Sequence, residues 1–182
     1  QEFAYLPRTL QSLVQRAKWC RCQNARNLPP TLTKLILSDV KVIDKDWTKD
    51  LPTTLTAVDL TFDLPEFSSF EAFNFQHLRQ LRTLELFGST IKSSKYFHYE
   101  DLFKILPPQL QQLSIAFTFA TPIFEAKHLA SLPQALVSLH TFLDDEPEQE
   151  CIQYLPPCLI AFVNQDEPIY WFEEYVLTKL GR

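Results

Sequence analysis

The residues with the most chemical capacity sit singly inside short aliphatic runs. Asp59 stands between Val58 and Leu60, and Glu85 between Leu84 and Leu86. Two carboxylates brought together can divide into a general acid and a general base when their surroundings push their proton affinities apart. The simpler expectation is a solvated acidic patch that attracts a basic partner. His77, His98, His128 and His140 have no spacing that suggests a metal site or a triad, so each is expected to be a surface or partly packed side chain. The cysteines fall as Cys20 with Cys22 and Cys151 with Cys158. A C-x-C pair with no second pair nearby and no His at ligand spacing makes a poor zinc site, and free thiols are expected. Gly88 and Gly181 are the only glycines. Phosphate-cradling loops need glycines at fixed offsets, so a Rossmann or P-loop enzyme cannot be built here. No metal, no cofactor and no catalytic residue is expected.

Composition narrows the setting. The 182 residues make one domain or a piece of one, and 46% apolar content is enough for a sizeable core. A net charge of −5 argues against a nucleic-acid partner, whose usual footprint is a basic face. No apolar run approaches the roughly 18 residues of a membrane span. Residues 1–10 lack a basic stretch followed by an apolar one, so no signal peptide is expected. With no N-x-S/T sequon, a cytoplasmic setting is the expectation.

What must position Asp59 and Glu85 is a repeat. Most of the thirteen prolines belong to Leu-Pro or Leu-Pro-Pro stretches, which start at Leu6, Leu28, Leu51, Leu106, Leu132 and Leu155. The gaps are 22, 23, 55, 26 and 23 residues, and the long gap holds a degenerate copy without proline, Leu78 to Leu86. Seven copies result. Their aliphatic triplets are Leu32, Leu35 and Leu37; Leu55, Val58 and Leu60; Leu81, Leu84 and Leu86; and Leu110, Leu113 and Ile115. The outer copies decay: Leu10 and Leu13 precede Gln15, Leu136 and Leu139 precede Thr141, and Leu159 and Phe162 precede Asn164. End units have one neighbour to bury against, so atypical terminal copies are expected.

The last L-x-L of each copy alternates, which predicts a strand. Proline just before it fixes φ and cannot extend a helix, so it marks the corner leading into the strand. Between strands, Ile43, Trp47 and Leu51, and then Tyr99, Leu102, Phe103 and Leu106, recur at helical spacing.

On these residues the chain resembles leucine-rich-repeat proteins over about residues 6 to 167. The L-P-x-x-L-x-x-L-x-L form is similar to that of secreted bacterial effectors and protist repeat proteins. The resemblance implies an α/β solenoid, with a curved parallel sheet on the concave side and short helices on the convex side. It implies an array of about seven units over residues 1–167. Residues 168–182 then form a C-terminal helix, read either as a cap or as the start of a further domain. The implied function is a non-catalytic module that binds a protein partner, possibly basic, on the concave face. Alternatives are the recognition part of a larger effector or ubiquitin-ligase-type protein, acting in host cytoplasm if secreted, or a spacer in a longer array. The Asn usual after the last core leucine is missing; Val40, Asp63, Ser89, Thr118, Asp144 and Glu167 stand there. Loop backbone groups must find other partners.

Aligned copies predict columns on the concave face. One reads Val14, Ile36, Asp59, Glu85, Ser114, His140, Val163; the next Arg16, Ser38, Thr61, Phe87, Ala116, Phe142, Gln165; the third begins Ala17, Asp39, Phe62, Gly88, Phe117. Phe62, Phe87, Phe117 and Phe142 fall together, either as an exposed binding cluster or as rings tucked over the core edge. The expected partner-binding residues are Asp59, Glu85, Phe87, Phe117, His140 and Phe142. The acidic run Asp144 to Glu150 is expected to be a solvated loop.

Overall fold

The computed structural model describes residues 3–21, 25–41, 47–63, 73–88, 97–117, 122–123, 126–141 and 153–164. Seven strands form one open, parallel sheet: β1 (Ser12–Arg21), β2 (Lys34–Lys41), β3 (Ala57–Asp63), β4 (Thr83–Gly88), β6 (Gln112–Phe117), β8 (Ser138–Thr141) and β9 (Ala161–Asn164). They stand side by side in chain order. A second, two-stranded sheet pairs β5 (Phe97–His98) with β7 (Pro122–Ile123). The fold is thus α/β and repeat-like, with few helices among the described residues.

Each Leu-Pro pair sits at the junction of two turns. The leucine N–H closes the first turn: Leu28 donates to the Ala25 carbonyl at 3.0 Å, Leu51 to Thr48 at 3.2 Å, and Leu132 to Leu129 at 3.1 Å. The proline carbonyl opens the second: Leu32 donates to Pro29 at 3.1 Å, Leu55 to Pro52 at 3.2 Å, and Leu110 to Pro107 at 3.1 Å. Proline has no N–H to leave unsatisfied at this corner, and its carbonyl is the part the turn uses. In the copy without proline, Leu78 supplies the same carbonyl to Leu81 at 3.0 Å.

The strands then alternate. In β4, Leu84 and Leu86 are buried while Thr83, Glu85 and Phe87 are half-buried. All the aliphatic triplets of copies two to five join a single apolar core. Burial of one such side chain contributes roughly 1.5–3 kcal/mol. At the ends the same positions are looser: Leu10 and Leu13 are only partly buried.

The segments between strands are shorter than their spacing suggests. Trp47–Asp50 and Ala25–Asn27 are single 3-10 turns, and Ala126–Ser131 is a 3-10 helix of six residues. Among the described residues, only Tyr99–Lys104 (α1) is an α-helix, of six residues. Units of 22 or 23 residues leave little chain between strand and corner, and one tight turn spans the distance. The expected helix over residues 168–182 lies outside the described residues.

A side-chain ladder runs beside the corners. Thr31 Oγ1 is 2.7 Å from the Arg8 carbonyl and 3.0 Å from that of Leu10. One unit on, Thr54 Oγ1 stands 2.8 Å from the Pro30 carbonyl and 2.7 Å from that of Leu32. Further along, Gln109 Nε2 donates to the Leu78 carbonyl at 2.9 Å. This ladder satisfies turn carbonyls between neighbouring units in a chain that lacks the Asn ladder.

Candidate interaction surface on the open face of the sheet

The first predicted column is in register throughout. Val14 pairs with Ile36, Ile36 with Asp59, Asp59 with Glu85, Glu85 with Ser114, Ser114 with His140, and His140 with Val163. Because side chains alternate along each strand, the buried leucines on either side turn this column to the open face. Val14 and His140 are exposed, and Ile36, Asp59, Glu85 and Ser114 are half-buried.

Asp59 and Glu85 are direct cross-strand neighbours. Partial burial pushes the Asp59 carboxyl above its usual range, with Lys34 and then Arg16 pulling against that rise. Partial burial also raises Glu85; the Asp59 charge adds to the rise, while His140 and Lys34 oppose it. The two carboxyls therefore move the same way. Division into an acid and a base rests on shifts in opposite directions.

Phe87 lies on the same face of β4, two residues beyond Glu85, and pairs across to Thr61 and Ala116. It is half-buried. His140 is two strands from Glu85, with Nε2 3.1 Å from Ser138 Oγ. Phe117 ends β6 opposite Gly88; its register position is described, its side chain is not. Phe142 lies outside the described residues. Asp59, Glu85, Phe87 and His140 are thus on one surface.

Two features of the predicted columns are corrected. Phe62 is a core residue: it is buried, and its ring centroid is 5.2 Å from that of Phe73. Phe73 in turn lies 6.0 Å from Phe75, both buried. An inward sheet position with an aromatic pocket beneath it buries the ring rather than presenting it. Second, the third column holds Cys20 and Val40, not Ala17 and Asp39, beside Phe62, Gly88 and Phe117. Extra residues bulge β1 after Arg16 and β2 after Leu37, and shift the register. Ser38 still pairs with Arg16, but the same bulge takes it out of register with Thr61.

The sequence columns missed Lys34. It is exposed at the start of β2, next to the Asp59 strand, and its charge acts on both carboxyls. Its signal was its place just before the strand's first leucine. Thr83 occupies the same place on β4, where its Oγ1 meets Gln112 Oε1 at 3.1 Å. His128 is more enclosed than expected: it is buried, 3.6 Å from Glu100, which also pairs with Lys104 at 2.6 Å.

Among the described residues, no group of three or more His, Cys, Asp or Glu is placed to hold a metal ion. Among them, too, no helix is long and apolar enough to cross a membrane. Comparison with known proteins matches the chain to no family, to no curated protein and to no solved structure.

Proposed function

We propose that the chain is a leucine-rich-repeat-type, non-catalytic module that binds a protein partner on the open face of its sheet. The observation that carries this reading is the register of the Val14-to-Val163 column. Seven parallel strands set seven positions, filled by six residue types, in one row over a continuous aliphatic core. A rigid frame of this kind spares a partner much of the ordering cost of binding. Within the row, Asp59 and Glu85 supply negative charge at its centre, which suits a basic partner. Phe87 and His140 flank them. Phe142 joins the proposed set by its position in its unit; Phe117 shares the register row of the buried Phe62 and Gly88 and is left out of the open-face set.

The experiment is affinity capture from the native host. Wild type is compared with the triple variant Asp59→Asn, Glu85→Gln, Phe87→Ala, and with Arg79→Ala on an exposed turn as control. The reading expects a specific set of proteins held by wild type and by the control, and lost from the triple variant. An unchanged set on all three would place recognition elsewhere.

A further inference from the structure

We propose that the outer edge of β1 takes up an acidic, extended segment of a partner protein, which adds to the sheet as a further parallel strand. The surface runs from the turn at residues 7–10 along β1. It is separate from the open-face site, and neither proposal rests on the other.

The hydrogen-bond pattern leaves one set of donors unfilled at this edge. From β2 onward, strand starts give N–H donors to a carbonyl of the preceding unit. Thr33 and Lys34 donate to Gln11, Thr56 and Ala57 to Thr33, Arg82 and Thr83 to Thr56, and Val137 and Ser138 to Gln111. Corner threonines reach back in the same way: the Thr31 hydroxyl to the Arg8 and Leu10 carbonyls, and the Thr54 hydroxyl to those of Pro30 and Leu32. In the first unit Thr9, Gln11 and Ser12 hold these places, and all three are exposed. Each interior strand of the sheet pairs on both sides. β1, the longest of the described strands at ten residues, pairs with β2 alone. Among the described residues no carbonyl is placed to receive the three donors. What fits them is a second backbone, laid along β1 as β1 lies along β2.

The apolar core is open at the same edge. Leu28, Leu32 and Leu35 of the second copy are 3%, 0% and 0% exposed. Their equivalents in the first copy, Leu6, Leu10 and Leu13, are only partly buried. Tyr5, beside Leu6 in the chain, is 87% exposed. A stray exposed apolar residue is ordinary on a surface; three successive core positions loosened together mark a side that no neighbouring unit covers. A segment with apolar side chains at alternate positions covers this side and keeps its polar side chains in water.

Charge selects the occupant. Residues 3–21 hold Arg8, Arg16, Lys18 and Arg21, and no Asp or Glu. Arg8 and Arg16 are exposed, and Lys18 and Arg21 have their positions on β1. Arg16 also acts on Asp59 across the sheet, whereas nothing acidic within the first unit offsets Arg8. A second copy of β1 would bring like charges together, so pairing of two such edges is disfavoured. An acidic segment is attracted to the same edge.

Fluorescence anisotropy with two labelled eight-residue peptides tests this, one alternating Glu with Val and the other Lys with Val. The wild-type chain should bind the Glu peptide, less tightly as salt is added, and should bind the Lys peptide at least about tenfold more weakly. The variant Arg8→Glu, Arg16→Glu should lose about tenfold in affinity for the Glu peptide. Far-UV circular dichroism checks its fold, and Arg8→Gln, Arg16→Gln replaces it if it unfolds. With the Glu peptide bound, hydrogen exchange should slow at the Gln11 and Ser12 amides. The open-face variant Asp59→Asn, Glu85→Gln, Phe87→Ala should bind the Glu peptide at least as tightly as wild type, which keeps the two sites distinguishable. No binding of the Glu peptide at millimolar concentration overturns the proposal. So does equal affinity for both peptides, full affinity in a folded charge variant, unslowed exchange at Gln11 and Ser12, or loss of binding in the open-face variant.

Discussion

Glu85→Gln should make the protein more stable at neutral pH. Glu85 and Asp59 are directly opposed on adjacent parallel strands, with both carboxyls raised above their usual range by partial burial. Ionised together, they repel across one strand spacing of about 4.8 Å. Like charges placed so are destabilising, on the order of 0.2–1 kcal/mol. Glutamine keeps the shape and removes the charge. The gain should depend on pH in a defined sense. Because the folded-state affinity for protons is raised, the folded chain binds more protons than the unfolded one as pH climbs above the ordinary Glu value of 4.5. Stability is therefore lost as pH rises through the folded-state value, and Glu85→Gln escapes that loss. Urea unfolding at neutral pH and at about pH 4 should show the gain at the first and little at the second. Asp59→Asn should gain less, since Lys34 and Arg16 favour the Asp59 charge. The double variant should gain less than the sum of the singles, because either change alone abolishes the repulsion. Destabilisation by Glu85→Gln at neutral pH, an equal gain at both pH values, or simple additivity would refute the reasoning. Retention of a strained acidic pair on an open face is what a binding site that trades stability for recognition would show.

Other consequences can be measured on the same footing. Leu84→Ala, at a fully buried position in the central strand, should cost about 2–5 kcal/mol in denaturant unfolding. Leu10→Ala, only partly buried in the first copy, should cost clearly less. Thr54→Val should cost about 1 kcal/mol, because the Pro30 and Leu32 carbonyls lose the hydroxyl between them; hydrogen exchange should quicken locally at the second and third corners. Lys104→Met removes an exposed ion pair with Glu100 along one helical turn and should leave the denaturant midpoint indistinguishable from that of wild type, since solvent screens such pairs.

The strand frame was legible because the pattern that builds it is redundant. An aliphatic residue, two others, an aliphatic residue, one other and a third aliphatic residue recur in four copies, so a chance match at any one copy hardly matters. The same frame placed Asp59, Glu85 and His140 in one row before any coordinate. The bulges were illegible for a physical reason. The extra residues after Arg16 and Leu37 fall beyond the aliphatic triplet, where no alternation marks the register. Phe62 could not be assigned from its type, since an aromatic ring at a strand end suits a surface cluster or a core equally. Its burial depends on Phe73, a residue of the next unit that the pattern does not connect to it. The 3-10 turns were mistaken for helices because Trp47 and Leu51 at a spacing of four satisfy either geometry, and the deciding quantity is how much chain separates strand from corner. The threonine ladder left a faint trace. Thr9, Thr31 and Thr54 hold one position in successive copies, but Gln109 takes up the role later with a different side chain.

If the open sheet face binds a protein partner, that partner lies against Asp59, Glu85 and Phe87. Replacing Phe87 by a photo-crosslinking amino acid in the native host tests it most directly, with the same amino acid at the exposed turn residue Arg79 for comparison. The expected result is a discrete protein adduct from position 87 that the Asp59→Asn, Glu85→Gln background abolishes, and none from position 79. Adducts from position 79 alone, or from both positions irrespective of the acidic pair, would contradict it.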